Sequence, residues 1–275
     1  MANITAADVS KLRQLTGAGM MDCKKALVDA DGDFERAKEI IRERGLAIAN
    51  KRSDREASEG AVLAKTTNNN TVGVIIALNC ETDFVAKNQD FIDLAKKILD
   101  IAAENLPENL DALKNISVDG KTVQELVMER SGVTGEKMEL AFYGKLEAAQ
   151  VSSYIHMGNK LATVVGLNKV VDPSVSFNLA MQVAAMNPIA VDEQSVPAAV
   201  IQKELEIGRE QARNEGKPEN LLDKIAQGKL QKFIKESTLV NQEYIMEEKM
   251  TVADYLKRTD KDLVVTGFIR YALSN

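Results

Sequence analysis

Two stretches of the chain carry the same order of residues at one fixed offset, and this repeat limits the fold more than any other feature. Val62 and Val151, Val72 and Leu161, Leu78 and Leu167, Asn79 and Asn168, and Asp83 and Asp172 are each 89 positions apart. Ala61 to Lys65 and Val72 to Leu78 are short apolar runs rich in β-branched residues. Asn68-Asn69-Asn70 joins them, and asparagine tolerates the positive φ that a hairpin turn demands. A loop, Asn79 to Asn88, then leads to the amphipathic helix Phe91 to Glu104. In the second copy, strands are expected at Val151 to His156 and Leu161 to Leu167, with a helix near Ser176 to Met186. Met157-Gly158-Asn159 takes the turn position there, so His156 falls at a hairpin tip. A further strand is expected at Leu140 to Leu146. Repetition of strand, turn, strand, loop and helix predicts two related α+β halves rather than one continuous sheet.

Different patterns flank the repeat. Thr5 with Asp8 three residues later is an N-cap signal, and Val9, Leu12 and Leu15 follow at near-helical spacing. Gly17-Ala18-Gly19 breaks that helix, Met20 to Ala30 makes a second, and Asp31-Gly32-Asp33 turns into a third with Phe34, Ala37 and Ile41 on one face. Residues 46 to 59 lose the periodicity and read as a linker or a solvated helix. Later, Ile201, Leu205, Gly208 and Ala212 recur at alternating spacings of four and three, Gly216-Lys217-Pro218 turns the chain, and Leu222, Ile225 and Ala226 continue the seam. This predicts an antiparallel helical hairpin, either folded back on the core or standing out as an arm. A short helix at Val252 to Arg258 and a strand at Leu263 to Leu273 complete the chain. The expected division is a helical domain at 1–48, a linker at 49–59, one core half at 60–139, the other at 140–196 with 229–275, and a hairpin at 197–228.

Composition narrows the function. The 275 residues include 35 basic and 41 acidic side chains, a net charge of −6, with no dense Lys/Arg run flanked by aromatics, which argues against nucleic acid as the main ligand. Two cysteines 57 positions apart and a single histidine make a zinc site improbable and suit a reducing compartment. With no signal-like N-terminus and no run long enough to span a bilayer, a cytoplasmic location is expected, with no membrane partner. The chain has no Gly-rich phosphate loop after a strand and no nucleophile elbow, so enzymatic catalysis is the weaker class, and no cofactor is expected. Cys80 with His156 is the one pair that a thiolate mechanism would use, against the simpler reading of Cys80 as a small buried filler.

Two features resist such plain explanations. Glu81-Thr82-Asp83-Phe84-Val85-Ala86-Lys87-Asn88 sets a phenylalanine between an acid and an apolar residue in a loop. Composition alone favours Phe84 covering the local core and Asp83 capping the next helix. Met20 and Met21 are adjacent at a helix start, so at least one cannot face the core of so small a module, and exposed Met suits adaptable binding surfaces.

At these residues the chain resembles the elongation factor Ts family. Leu12-Arg-Gln-Leu-Thr-Gly-Ala-Gly-Met-Met-Asp-Cys-Lys-Lys-Ala-Leu27 looks like its N-terminal signature, and Thr82-Asp-Phe-Val85 like its central motif. Tyr154-Ile-His-Met-Gly158 and Val265-Thr-Gly-Phe-Ile-Arg270 are similar to later landmarks, so the likeness runs in order across nearly the whole chain. It implies a ubiquitin-associated-like helical domain, an α+β core of two subdomains and a coiled-coil dimerisation arm, through which a homodimer could form. The implied partner is the GTPase elongation factor Tu, from which the family promotes release of GDP. Carried onto this sequence, the resemblance gives the Thr82-Asp83-Phe84-Val85 loop the exchange role, Phe84 entering an apolar pocket between two GTPase helices and disturbing the magnesium and phosphate contacts of GDP. Arg13, Met20 and Met21 match positions that contact another helix of that domain, and His156 matches one facing the third domain. Many members continue into a further C-terminal helical module; this sequence ends at Asn275 soon after the last strand, so that contact is expected to be missing. The other class of function to weigh is an adaptor or chaperone-like binding module that leaves nucleotide release unchanged.

Overall fold

The computed structural model describes residues 4–52 and 54–273. Three helices come first: α1 (Ala6–Thr16), α2 (Met20–Asp29) and α3 (Phe34–Lys51). The first half of the repeat follows with β1 (Glu59–Thr67), β2 (Val72–Cys80), the short α4 (Asp83–Ala86) and α5 (Gln89–Asn105). Between the halves lie α6 (Leu110–Lys114), the ribbon β3 (Ser117–Val118) and β4 (Lys121–Thr122), α7 (Val123–Thr134) and β5 (Met138–Glu147). The second half supplies β6 (Gln150–Ile155), β7 (Leu161–Leu167) and α8 (Pro173–Met186), then α9 (Ala198–Asn214), α10 (Leu222–Ser237), α11 (Val252–Thr259) and β8 (Val265–Ala272). Helix and strand are thus mixed in the α+β manner, and among the described residues no helix is long and apolar enough to cross a membrane.

Two antiparallel three-stranded sheets, β1-β2-β5 and β6-β7-β8, form the core. In the first, Asn68, Asn69 and Asn70 all take positive φ; in the second, Gly158 and Asn159 do so at the matching turn. Each sheet has an irregularity in the same place: the pairing with the third strand slips by one residue between Ala77 and Leu78 and again between Gly166 and Leu167. The halves also exchange hydrogen bonds reciprocally. Val62 N–H donates to the Asn159 carbonyl at 2.7 Å, and Val151 N–H, its counterpart, donates to the Asn70 carbonyl at 2.6 Å. Such reciprocity is expected of two like units facing each other across a two-fold axis.

The sheets pack face to face. Val62, Ala64, Ile75 and Ala77 meet Val151, Ala162 and Val164 in a shared layer. Gly73 is required there, because a Cβ on it would stand 2.3 Å from Val164 Cγ1 and 2.6 Å from Val151 Cγ1. Alternate residues of the same strands point outward. Leu63, Val74, Ile76 and Leu78 pack under α5 and α7 through Phe91, Ile98, Val123 and Val127, while Val165 and Leu167 pack under α8 and α11 through Leu179, Val183, Val252 and Leu256. Burial on both faces explains why β2 and β7 read as continuous apolar runs instead of alternating ones.

The helical module has its own small core of Leu12, Cys23, Ala26, Leu27 and Ala37. Thr5 and Asp8 form a full capping box on α1, and Asp33 accepts the Glu35 and Arg36 amides at the start of α3. The module meets the core through α3 and α7, where Gly45 and Gly132 touch backbone to backbone. Arg42 pairs with Glu125 at 3.2 Å and Glu129 at 3.0 Å across the same seam. α9 and α10 pack antiparallel with Gly208 against Ala226, and Ala212, Leu222, Leu230 and Ile234 are buried in or below that seam. α3 runs three residues past position 48 to Lys51, and α10 runs past position 228 to Ser237.

Candidate functional site

The segment after β2 departs from the sequence expectation. Instead of an open loop over Asn79 to Asn88, the strand continues to Cys80 and the chain then closes the single helical turn α4. Asp83 is not the cap of the following helix. Thr82 caps α4, its Oγ1 accepting the Val85 N–H, and Asn88 caps α5, its Oδ1 accepting the Asp90 N–H at 2.9 Å. Nor does Phe84 cover the local core. It is 83% exposed, whereas Phe91, one helix later, is 1% exposed and fills that core. The neighbours of Phe84 explain the difference: Ala86 faces inward and Val85 packs against the core, so the turn aims residue 84 at solvent.

The polar groups of the turn are fixed while the ring is free. Asp83 pairs with Lys87 at 2.6 Å, and that hydrogen bond is the largest cause holding its carboxyl below the ordinary range; Lys160 adds a smaller attraction. Lys160 also pairs with Glu59 at 2.9 Å, which ties the β6–β7 hairpin to the start of β1, the strand against which α4 lies. At the hairpin tip His156 is exposed, its Nδ1 2.9 Å from the Tyr154 hydroxyl, and the Tyr154 ring meets Phe177 edge to face at 5.8 Å. Met157, next to it, is 91% exposed. Lys160, four residues beyond His156, is thus the residue of that hairpin whose charge reaches the Asp83 turn. Arg13, Met20 and Met21 stand elsewhere, exposed on α1 and at the start of α2 in the helical module, with exposed Leu15 between them in sequence.

A thiolate mechanism has no support in this arrangement. Cys80 is fully buried, and its thiol is pushed up to about 12, chiefly by burial and then by the negative charge of Glu136. Its S–H donates to the Thr82 carbonyl at 3.2 Å, and His156 is engaged with Tyr154 instead. Sequence reasoning missed Glu136 and Lys160, which lie 54 and 77 residues beyond Asp83's neighbour Thr82 and Asp83 itself and carry no local motif. Among the described residues no cluster of three or more His, Cys, Asp or Glu could hold a metal ion.

Comparison with known proteins agrees with the landmarks. The family model described as Elongation factor TS matches residues 81–275. An elongation factor Ts from Christiangramia forsetii is 54% identical over 275 residues, covering 99% of this chain and all of the relative. One from Flavobacterium psychrophilum is 50% identical over 275 residues, covering 99% and 100% of the two chains. One from Porphyromonas gingivalis is 50% identical over 272 residues, covering 98% of each. With a family match over more than half its length and relatives of this identity end to end, the chain belongs to the elongation factor Ts family of translation elongation factors.

Proposed function

We propose that this chain is the guanine-nucleotide exchange factor of elongation factor Tu, binding the GDP form and promoting release of GDP so that GTP can load. The observation that carries this reading is a large aromatic side chain left in water on a turn whose polar side chains, Thr82, Asp83 and Lys87, are all paired. Phe84 is the wedge, and Thr82, Asp83 and Val85 shape and frame it. Arg13, Met20 and Met21 on the helical module, and His156 at the hairpin tip, are the further contacts that hold the GTPase while the wedge acts on its magnesium and phosphate site.

The physics requires only unequal affinity. A ligand shifts an equilibrium by the difference in its affinity for two states, so the factor must bind empty GTPase better than GDP-bound GTPase. By linkage, GDP weakens the factor's binding by the same ratio. No acid, base, metal or cofactor on this chain takes part. The helical module answers to a ubiquitin-associated-like domain and the α9–α10 hairpin to a dimerisation arm, with the domain limits given from sequence and a cytoplasmic setting.

The deciding experiment follows fluorescent GDP leaving elongation factor Tu as this chain is added. Accelerated release is expected. Complex formation without acceleration would leave an adaptor, and no complex at all would remove the reading.

A further inference from the structure

The turn that bears Phe84 is anchored from another part of the chain. Glu136, between α7 and β5, receives both donors of Thr82: Oε1 accepts the hydroxyl at 2.7 Å and Oε2 accepts the backbone N–H at 3.1 Å. Glu136 is itself held, its carbonyl accepting the Ser131 hydroxyl at 2.6 Å and its N–H donating to Thr134 Oγ1 at 3.3 Å. One residue earlier on the opposite side, Glu81 accepts the Lys137 N–H at 2.6 Å and pairs with Arg55 at 3.0 Å. Segments 81–82 and 136–137 are therefore cross-tied by two carboxylates, each reaching the backbone of the other segment.

Thr82 is the pivot between this tie and the turn. Its hydroxyl, by donating to Glu136, is oriented to accept the Val85 N–H, and its carbonyl accepts the Ala86 N–H at 3.1 Å. A helix of four residues has no stability of its own, since nucleation alone is unfavourable. Its direction is therefore set at the cap. We propose that Glu136 is a positioning residue for Phe84: through Thr82 it holds α4 closed and the ring at a fixed angle, so that the partner need not order the turn at each encounter. This rests on Phe84 being the wedge.

The test uses the full chain with Glu136→Ala and Glu136→Gln; glutamine keeps one acceptor oxygen and so one of the two bonds. On the isolated protein, amide hydrogen exchange at Ala86 and Lys87 should quicken at least about tenfold in the alanine variant and less in the glutamine variant, with an unchanged overall unfolding transition. At saturating factor, stimulated GDP release should slow by roughly tenfold or more. Thr82→Val should do the same, and Glu136→Ala combined with Thr82→Val should be no slower than the slower of the two alone, because both remove one tie. Unchanged amide exchange, or wild-type release by Glu136→Ala while Phe84→Ala is impaired, would overturn the assignment. If Phe84→Ala itself released GDP normally, the functional reading would fall, and the amide measurement would still decide whether Glu136 holds the turn.

Discussion

Replacing Phe84 with alanine separates a contribution to folding from one to binding. The ring is 83% exposed, so only about a sixth of it is buried in the isolated chain. Full burial of a phenylalanine is worth about 1.5–3 kcal/mol, so the folded chain should lose no more than about 0.5 kcal/mol. For a protein of this size that is a shift of about 2 °C or less in the unfolding midpoint. The remaining five-sixths, about 1.2–2.5 kcal/mol, is available only when a partner covers the ring. At about 1.4 kcal/mol per tenfold, stimulated exchange should fall roughly 7- to 60-fold. Phe91→Ala supplies the contrast: that ring is 1% exposed, and its loss should cost about 3–5 kcal/mol of stability. The assay pairs thermal unfolding of each variant with fluorescent-GDP release from elongation factor Tu. Wild-type release by Phe84→Ala, or destabilisation approaching that of Phe91→Ala, would refute the reasoning.

Gly132→Ala should push the helical module off the core, because the added Cβ would stand 2.2 Å from Gly45 Cα, and neither backbone can yield without parting α3 from α7. A cost of about 1–3 kcal/mol is expected at this seam, read as faster tryptic cleavage at Arg52 and Arg55, and wild-type cleavage would count against a docked module. Cys80 should resist alkylation at pH 8 in the folded protein. Its thiol is raised from 9.0 to about 12, so the stability it gives is intact below pH 9 and is lost as pH climbs toward 12. Cys80→Ala should remove the slope between pH 9 and 10, whereas above pH 10 Tyr143, raised by burial to about 12, and Tyr244, raised likewise, keep one in the variant; an unchanged slope between pH 9 and 10 in Cys80→Ala would assign it to another group.

The halves of the core were legible because the repeat preserves its turns and its Leu-Asn strand ends. The third strands were not matched, since Ala148 and Leu273, which make corresponding hydrogen bonds to Thr71 and Lys160, lie 125 positions apart and not 89. The difference reflects the α9–α10 hairpin and its flanks set into the second half. α7 escaped notice for another reason. Val123 and Val127 face the sheet while Gly132 meets α3, and a helix covered on two sides shows no polar stripe. The α4 turn is too short for any period to reveal. Phe84 and the methionines could be singled out as odd, yet whether an odd residue is buried or bare depends on neighbours far along the chain, as Glu136 is from Thr82.

The matched aspartates of the repeat show what duplication makes available. Asp172 caps α8 directly, accepting the Ser174 N–H at 2.9 Å, and Pro173 begins the helix at once. Asp83, its counterpart, has surrendered capping to Thr82 and stands inside an extra turn. One copy thus has the plain strand-to-helix junction, and the other accommodates a projecting turn at the same corner while the paired strands beneath it keep the same register slip.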